Sequence, residues 1–353
     1  MSNRFVEQLK TLRTRLPIPG VFHHSAAAVG LDVGSTSIKG VLIKPAPDKP
    51  QLIRLSVEPI PPGADAPARA EAARKLVQTL SGSDARIVTA LSGPGVVLRS
   101  ILLPKMTPQE LKGALSFEVE KHIPFKPEET SLDYVVLGDR SGGRMEILLA
   151  AAKTELVNAH IDLLKSAGVV AHILDLEALA LANAWQRSSP PELSGVSALL
   201  HIGARGTLLN FFLGSQLQFS REIGVGGEAF TKAVAEGLHL DASEAEALKC
   251  SPGGRLDEVT AALQPAWQEW LSQCRISFDF YEDQFSQKVE RLELSGGSAR
   301  LANLKGWIQD SLGLPTEEWD PAAGLSVEVD SREMEKFRGN LGVAIGLAVR
   351  ELD

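Results

Sequence analysis

The stretch that decides the fold is Ala28–Ile43, AVGLDVGSTSIKGVLI, in which two apolar runs flank a turn of small polar residues. This alternation is typical of a β-hairpin. The small residues of the turn leave successive backbone N–H groups accessible, and such groups form concave sites for phosphate oxygens. Asp32 ends the first strand, where a carboxylate can hold hydrated Mg²⁺, and Lys39 lies on the second strand. Similar hairpins also occur without any ligand, so this turn alone leaves both interpretations open.

The second half of the chain repeats this pattern. The segment Ala198–Thr207, ALLHIGARGT, again places an apolar strand before a small-residue turn, and Leu208–Leu213 follows as the next strand. Gly203 takes the place of Gly34, about 170 residues later, and a repeat on this scale predicts an internal duplication.

A third small-residue segment, Gly296-Gly297-Ser298, ends a later apolar strand. The order of a DxGxxxxK hairpin, a second glycine hairpin and a late diglycine resembles the actin-like ATPase superfamily. Within it, the blocks LPKMT (103–107), HIPF (122–125) and LDY (132–134) resemble the PilM family of type IV pilus assembly, which is related to the cell-division protein FtsA. The resemblance extends from Val29 to the C-terminus.

The resemblance implies the fold class and the domain organisation. The fold class is α/β, an actin-like (ribonuclease H-like) duplicated domain with two lobes around a nucleotide cleft and an inserted α+β subdomain. We expect a basic amphipathic segment at 1–25, a first lobe at 26–91 plus 173–190, an inserted subdomain at 92–172 and a second lobe at 191–353.

The resemblance also implies the residues that bind ATP or ADP. The first phosphate motif matches Asp32, Gly34, Ser35, Thr36 and Lys39, with Asp32 holding Mg²⁺ through water. In the second half, the matching residues are Gly203 and Arg205 in the turn, Gly226 and Gly227 near the nucleotide, Glu246 and Lys249 at the ribose and base, and Gly296, Gly297 and Ser298 in the adenosine motif. Glu246 and Lys249 also have the spacing of an ordinary surface ion pair on a helix.

Two positions bear on catalysis. Glu177 matches the acidic residue that lies near the attacking water in active relatives, whereas His201 stands where the superfamily normally carries Asp. A carboxylate helps to organise Mg²⁺ and the hydrolytic water, and neutral imidazole binds hard Mg²⁺ poorly. We therefore expect slow or absent hydrolysis with nucleotide binding retained. The alternative is a buried structural histidine in a site that has lost its nucleotide.

Composition limits the other functional classes. A net charge of -8 argues against non-specific nucleic-acid binding, which needs a basic surface. Two cysteines are too few for a disulfide framework and indicate a reducing compartment. No apolar run approaches the roughly 20 residues that span a bilayer. Apolar residues at helical spacing beside basic ones in segment 1–25 predict a helix that lies on an anionic membrane or packs on the protein.

The expected partners follow from the family resemblance. It implies a cytoplasmic scaffold, peripheral to the inner membrane, whose inserted subdomain helps to form a groove for the N-terminal peptide of a PilN-like inner-membrane protein. Ile123, Pro124 and Phe125 lie either beside this groove or in the core. Other pilus assembly proteins and self-association are further expected contacts. The alternatives are an active ATPase or kinase of the actin fold, and the cytoplasmic component of a type II secretion system.

Overall fold

The structure is a computed structural model that describes residues 27–80 and 85–352, without the side chains of residues 116–120. The predicted N-terminal segment 1–25 lies outside the described residues. The chain forms two compact units: unit 1 holds the described residues up to Ala180 and those from Ala344 onward, and unit 2 spans Leu181–Val343. Within the ranges described, no helix combines the length and apolar character that crossing a bilayer requires.

Unit 1 is built on five strands in the order β3-β2-β1-β4-β8. They are β1 (Ala28–Val33), β2 (Ser37–Lys44), β3 (Gln51–Pro59), β4 (Arg86–Leu91) and β8 (Ile173–Leu176), and helix α1 (Ala66–Leu80) packs on this sheet. The first three strands form an antiparallel meander, whereas β4 runs parallel to β1 and β8 parallel to β4. The predicted hairpin is confirmed, with Asp32 opposite Lys39 in the ladder.

The inserted segment forms a separate antiparallel sheet with the order β5-β7-β6. Its strands are β5 (Val96–Pro104), β6 (Thr130–Arg140) and β7 (Arg144–Lys153), and helix α2 (Pro108–His122) lies between β5 and β6 in sequence. The sequence Thr107-Pro108-Gln109-Glu110 is typical of a capping box. The structure confirms it at the start of α2: the Thr107 N–H donates to Glu110 Oε2 (2.8 Å) and the Glu110 N–H to Thr107 Oγ1 (3.3 Å). Ile123 is buried in the apolar cluster of this subdomain and Phe125 packs against it.

Helix α3 (Thr154–Ser166) follows β7, and α4 (Glu177–Ser188) follows β8. Threonine is a residue type that caps helices, so the sequence predicts that Thr154 caps α3, and this prediction is wrong. Lys153 occupies the cap position, and the Thr154 hydroxyl instead lies 3.2 Å from the Ser131 hydroxyl on β6. A hydrogen bond to a neighbouring strand therefore replaces the local cap.

Unit 2 repeats the sheet of unit 1. Its strands are β9 (Val196–Ile202), β10 (Thr207–Leu213), β11 (Gln216–Ile223), β12 (Val289–Ser295) and β13 (Thr316–Glu318), in the order β11-β10-β9-β12-β13. An antiparallel meander is again followed by two parallel strands. The sequence repeat thus corresponds to a duplicated actin-like domain. The remaining elements of unit 2 are α5 (Gly227–Leu238), α6 (Ala242–Cys250), α7 (Leu256–Phe285), α8 (Leu304–Leu312), β14 (Ser326–Val327) and α9 (Ser331–Phe337).

The C-terminal helix differs from expectation in extent and in placement. The Gly- and Ala-rich C-terminal stretch predicts a helix from Arg338 to Leu352, but α10 spans Gly342–Val349 after a separate 3-10 turn. The segment from Ala344 belongs to unit 1, and unit 2 begins at Leu181 rather than at residue 191. Glycines explain the close packing in unit 1, since a Cβ on Gly30 would lie 1.8 Å from the Ala344 carbonyl oxygen and one on Gly346 would lie 1.7 Å from that of Ala180.

Candidate functional site

The hairpin turn of unit 1 carries a largely buried ion pair. Lys39 Nζ lies 2.9 Å from Asp32 Oδ2, and the two side chains are 16% and 14% exposed. A Cβ on Gly34 would lie 2.8 Å from the Ser37 carbonyl oxygen and 3.2 Å from Lys39 Nζ. The tight turn therefore needs glycine at this position, and it places one carboxylate and one ammonium beside the backbone of residues 34–36.

An arginine on α1 supports this turn. Arg69 Nη2 donates a hydrogen bond to the Gly34 carbonyl oxygen (3.1 Å), and Nη1 makes a longer one to that of Ser35 (3.5 Å). No sequence motif points to Arg69, because none connects two segments that lie 35 residues apart.

His160 on α3 reaches the same hairpin through Thr89. The Thr89 hydroxyl donates to the Leu31 carbonyl oxygen (2.9 Å) and lies 3.0 Å from His160 Nε2. Because that hydroxyl has a single proton, His160 Nε2 donates to it. Burial and, to a smaller extent, the positive charge of Arg69 lower the pKa of His160 to about 4. The negative charge of Asp32 acts in the opposite direction and raises this pKa. The imidazole is therefore neutral near pH 7.

In unit 2, the second glycine turn is joined to the start of α5. The Gly203 N–H donates to the Gly206 carbonyl oxygen and closes the turn (2.9 Å). The Gly227 N–H then donates to the Gly203 oxygen (2.9 Å), and the Glu228 N–H donates to the Ala204 oxygen (2.7 Å). A Cβ on Gly226 would lie 2.6 Å from the Gly203 oxygen. The predicted glycine pair thus brings the helix against the turn, and Arg205 forms an exposed ion pair with Glu228 (3.4 Å).

Lys249 on α6 is the buried cation of this region, with a side chain that is 4% exposed. Its Nζ donates to the Gly227 carbonyl oxygen (3.1 Å) and to Thr231 Oγ1 (2.8 Å), and it lies 2.5 Å from Glu246 Oε2. Burial raises the pKa of Glu246, but hydrogen bonds from Lys249 and Thr231 outweigh it, so the net pKa is lowered. The pair is therefore only partly solvated: Lys249 is buried among oxygen acceptors, whereas the side chain of Glu246 is 52% exposed.

The late diglycine lies against the same backbone. Gly296 has φ +89°, and a Cβ on it would lie 2.5 Å from the Ile202 carbonyl oxygen. Ser298 is buried, and a Cβ on Gly227 would lie 2.4 Å from its hydroxyl oxygen. Gly297 begins the short 3-10 helix Gly297–Arg300. The second turn, the glycine pair, Lys249 and the diglycine therefore converge within unit 2.

His201 is held by the protein itself. It is 7% exposed on β9, and its Nδ1 lies 3.1 Å from Ser295 Oγ on the adjacent strand β12. The Ser295 hydroxyl donates its one proton to the Gly339 carbonyl oxygen (3.0 Å). The protonated Nδ1 of His201 therefore donates to the Ser295 oxygen. Unit 1 has Asp32 opposite Lys39, whereas unit 2 has His201 opposite Leu208. His201 is therefore buried and hydrogen-bonded within unit 2, with no carboxylate at the position equivalent to Asp32.

Glu177 is the partly buried first residue of α4, directly after β8. The neighbouring Asp175 is buried and forms an ion pair with Arg350, which follows α10. This ion pair could not be predicted from the sequence, because nothing local in either segment marks it.

The comparisons with known proteins agree with this fold. The profile of the family described as type IV pilus assembly protein PilM matches residues 30–352. A solved PilM-PilN type IV pilus biogenesis complex contains a chain 30% identical to this one, with a TM-score of 0.84 and coverage of 93% of this chain and 99% of that one.

More distant structures share the fold alone. The ethanolamine utilization protein EutJ from Carboxydothermus hydrogenoformans is 15% identical, with a TM-score of 0.54 and coverage of 97% of this chain and 93% of that one. MreB 5 of Spiroplasma citri bound to AMPPNP is 14% identical, with a TM-score of 0.52 and coverage of 93% and 96%. On the family profile and the 30% identical structure, the chain belongs to the PilM family of actin-like type IV pilus assembly proteins.

Proposed function

We propose that this chain is a scaffold of type IV pilus assembly that binds ATP or ADP and hydrolyses it slowly or not at all. The observation that carries the proposal is the convergence of Gly203, Ser298 and the buried Lys249 on Gly227. A Cβ on Gly226 or on Gly296 would lie 2.6 or 2.5 Å from a backbone carbonyl oxygen, so glycine is needed at both positions. A buried ammonium is retained beside them at a desolvation cost that acceptors must offset. An actin-fold relative, MreB 5 of Spiroplasma citri, has been solved with AMPPNP.

The residues proposed to bind the nucleotide come from the motifs of each unit taken by itself. Unit 2 provides the adenosine-binding residues Gly296, Gly297 and Ser298, the ribose-side residues Glu246 and Lys249, and the backbone of Gly203, Arg205, Gly226 and Gly227. Unit 1 provides the phosphate-binding residues Asp32, Gly34, Ser35, Thr36 and Lys39, and Glu177 is proposed to lie near the attacking water. Helix α5 fits this only in part, because the Gly227 and Glu228 amides already serve the second turn.

The described residues fit Mg²⁺ as an ion held through water and not by a cluster of protein ligands. No cluster of three or more His, Cys, Asp or Glu side chains suited to a metal occurs among the described residues. Mg²⁺ commonly keeps several waters and takes its other ligands from one or two carboxylates and substrate phosphates. Asp32 would therefore hold the ion through water, and Mg²⁺ would supply charge neutralisation to the phosphates.

We expect ATP to bind and to remain intact. His201 is tied to Ser295 and adds no carboxylate to orient a hydrolytic water. The measurement pairs isothermal titration of ATP with phosphate release over hours. Absence of binding at millimolar ATP would overturn the proposed function. Steady turnover that is abolished by His201→Ala would contradict the hydrolysis prediction alone.

For the partner, we propose the N-terminal peptide of a PilN-like inner-membrane protein. Support comes from the 30% identical relative, which was solved as a PilM-PilN complex. In the inserted subdomain, β5 is an edge strand of its sheet, and Leu102 on it is 49% exposed between the buried Ile101 and Leu103. An edge strand with outward apolar residues suits an added peptide strand. This partner would hold the chain at the cytoplasmic face of the inner membrane, and contacts with other pilus proteins or with itself stay predictions.

Leu102→Asp should weaken binding of a synthetic PilN-type N-terminal peptide by at least about tenfold, because it removes a leucine contact worth roughly 1.5–3 kcal/mol. The matched control is Val170→Asp, which changes a residue that is 75% exposed and lies outside the sheet β5-β7-β6, and it should leave the affinity unchanged. Fluorescence anisotropy of a labelled peptide measures both. Equal peptide affinities for the two variants would mean that β5 does not form part of the proposed groove.

A further inference from the structure

The two glycine turns accept hydrogen bonds through carbonyl oxygens at equivalent positions. In unit 2, the carbonyl oxygens of Gly203 and Ala204 accept hydrogen bonds from the first amides of α5, at 2.9 and 2.7 Å. In unit 1, the equivalent oxygens of Gly34 and Ser35 accept from the guanidinium of Arg69, at 3.1 and 3.5 Å. One side chain therefore does in unit 1 what a helix N-terminus does in unit 2. The same pair of turn carbonyl oxygens therefore accepts hydrogen bonds in each of the duplicated units.

Holding these carbonyl groups fixes the direction of the amides. In a trans peptide, the C=O and the following N–H point in opposite directions, and none of the described peptide bonds is cis. With the Gly34 and Ser35 oxygens turned toward Arg69, the N–H groups of Ser35 and Thr36 point away from it. The Thr36 oxygen is tied as well, by the Ile60 N–H (2.8 Å).

These two amides are available to a ligand. In the described part of the chain, neither the Ser35 nor the Thr36 N–H donates to a protein group, and Thr36 is exposed. Successive outward amides on a fixed backbone form an anion-binding concavity. A turn already held in this shape loses less conformational freedom when it binds a ligand.

We propose that Arg69 is a positioning residue for phosphate binding, which orients the Ser35 and Thr36 amides toward the phosphate oxygens of ATP or ADP. The inference rests on the proposed nucleotide-binding function and adds to it a residue that need not touch the ligand. Arginine suits the role because its planar fork serves two carbonyl oxygens at once, whereas a lysine ammonium is a single point charge on a flexible stem.

The test compares ATP with adenosine, which lacks the phosphates. Titration calorimetry of Arg69→Ala should show ATP affinity reduced by at least about tenfold, the size expected for lost hydrogen bonds to a charged group. Adenosine affinity should stay at the wild-type value, and Arg69→Lys should lie between wild type and Arg69→Ala for ATP. The matched control is Arg74→Ala on the same helix, since Arg74 pairs with the exposed Glu71 and should leave both affinities unchanged.

The outcomes separate this inference from the function on which it rests. Wild-type ATP affinity in Arg69→Ala would overturn the inference alone, whereas a wild-type chain that binds no ATP would overturn both. An equal loss of ATP and adenosine binding would mean a general structural role and would also overturn it. If Arg69→Ala does not unfold cooperatively on heating, Arg69→Lys decides, and wild-type ATP affinity in that variant would count against the proposal.

Discussion

Replacing Arg350 by alanine should lower the free energy of unfolding by about 3–5 kcal/mol, as expected when one partner of a buried ion pair is removed. Asp175, its partner on β8, has a side chain that is 3% exposed, and that of Arg350 is 16% exposed. The variant would leave the Asp175 carboxylate buried without its counter-charge. Urea unfolding followed by circular dichroism measures the change from the midpoint and slope of the transition.

Two further variants test whether the loss of stability comes from the ion pair between Asp175 and Arg350. Arg86→Ala removes a partner of Glu351 in the same C-terminal segment, but Arg86 is 42% exposed, so the cost should stay below about 1 kcal/mol. Asp175→Asn combined with Arg350→Met removes both charges and keeps an acceptor for the Leu176 N–H (2.7 Å). This double variant should recover more than half of the loss. A cost for Arg350→Ala no larger than that for Arg86→Ala would contradict the prediction.

The hairpins of both units could be predicted from the sequence because their determinants are local. Alternating apolar runs and small-residue turns fix β1–β2 and β9–β10 without help from distant residues, and the capping box at Thr107 is complete within four residues. The predictions that failed had competing partners elsewhere. Thr154 has a neighbour on β6 to bond with, and the Gly339 carbonyl oxygen just before α10 accepts from the Gly296 N–H and the Ser295 hydroxyl.

The candidate site shows the same limit. Motif positions could be assigned by resemblance, but spacing could not reveal that Lys249 is buried beneath the Gly227 carbonyl, 22 residues away. Nor could it reveal Arg69 behind the first turn or Ser295 beside His201, 94 residues apart. These contacts arise from sheet register and helix packing, which a single sequence encodes only weakly. They are nevertheless the contacts that decide which backbone groups are left for a ligand.

The close approach at Gly226 should make Gly226→Ala the most damaging single-methyl change at the second turn. Gly226 has φ -153°, an extended conformation open to any residue, so only space is limiting. A Cβ there would lie 2.6, 2.8 and 2.9 Å from the Gly203 oxygen, the Gly206 nitrogen and the Ala204 oxygen. All three are backbone atoms, which cannot rotate away as a side chain does.

Relief of this overlap requires α5 to move off the turn, which would break the bonds from the Gly227 and Glu228 amides. We expect a loss of about 2–4 kcal/mol in the free energy of unfolding, combining overpacking with two hydrogen bonds. ATP affinity should fall more than about tenfold, because the displaced helix carries the Gly227 carbonyl that holds Lys249. The matched control is Gly224→Ala, two residues earlier, where a Cβ would meet no atom within 4 Å and both quantities should be unchanged. If the two alanine variants prove equally stable and bind ATP equally well, then the contact between α5 and the turn does not build the site.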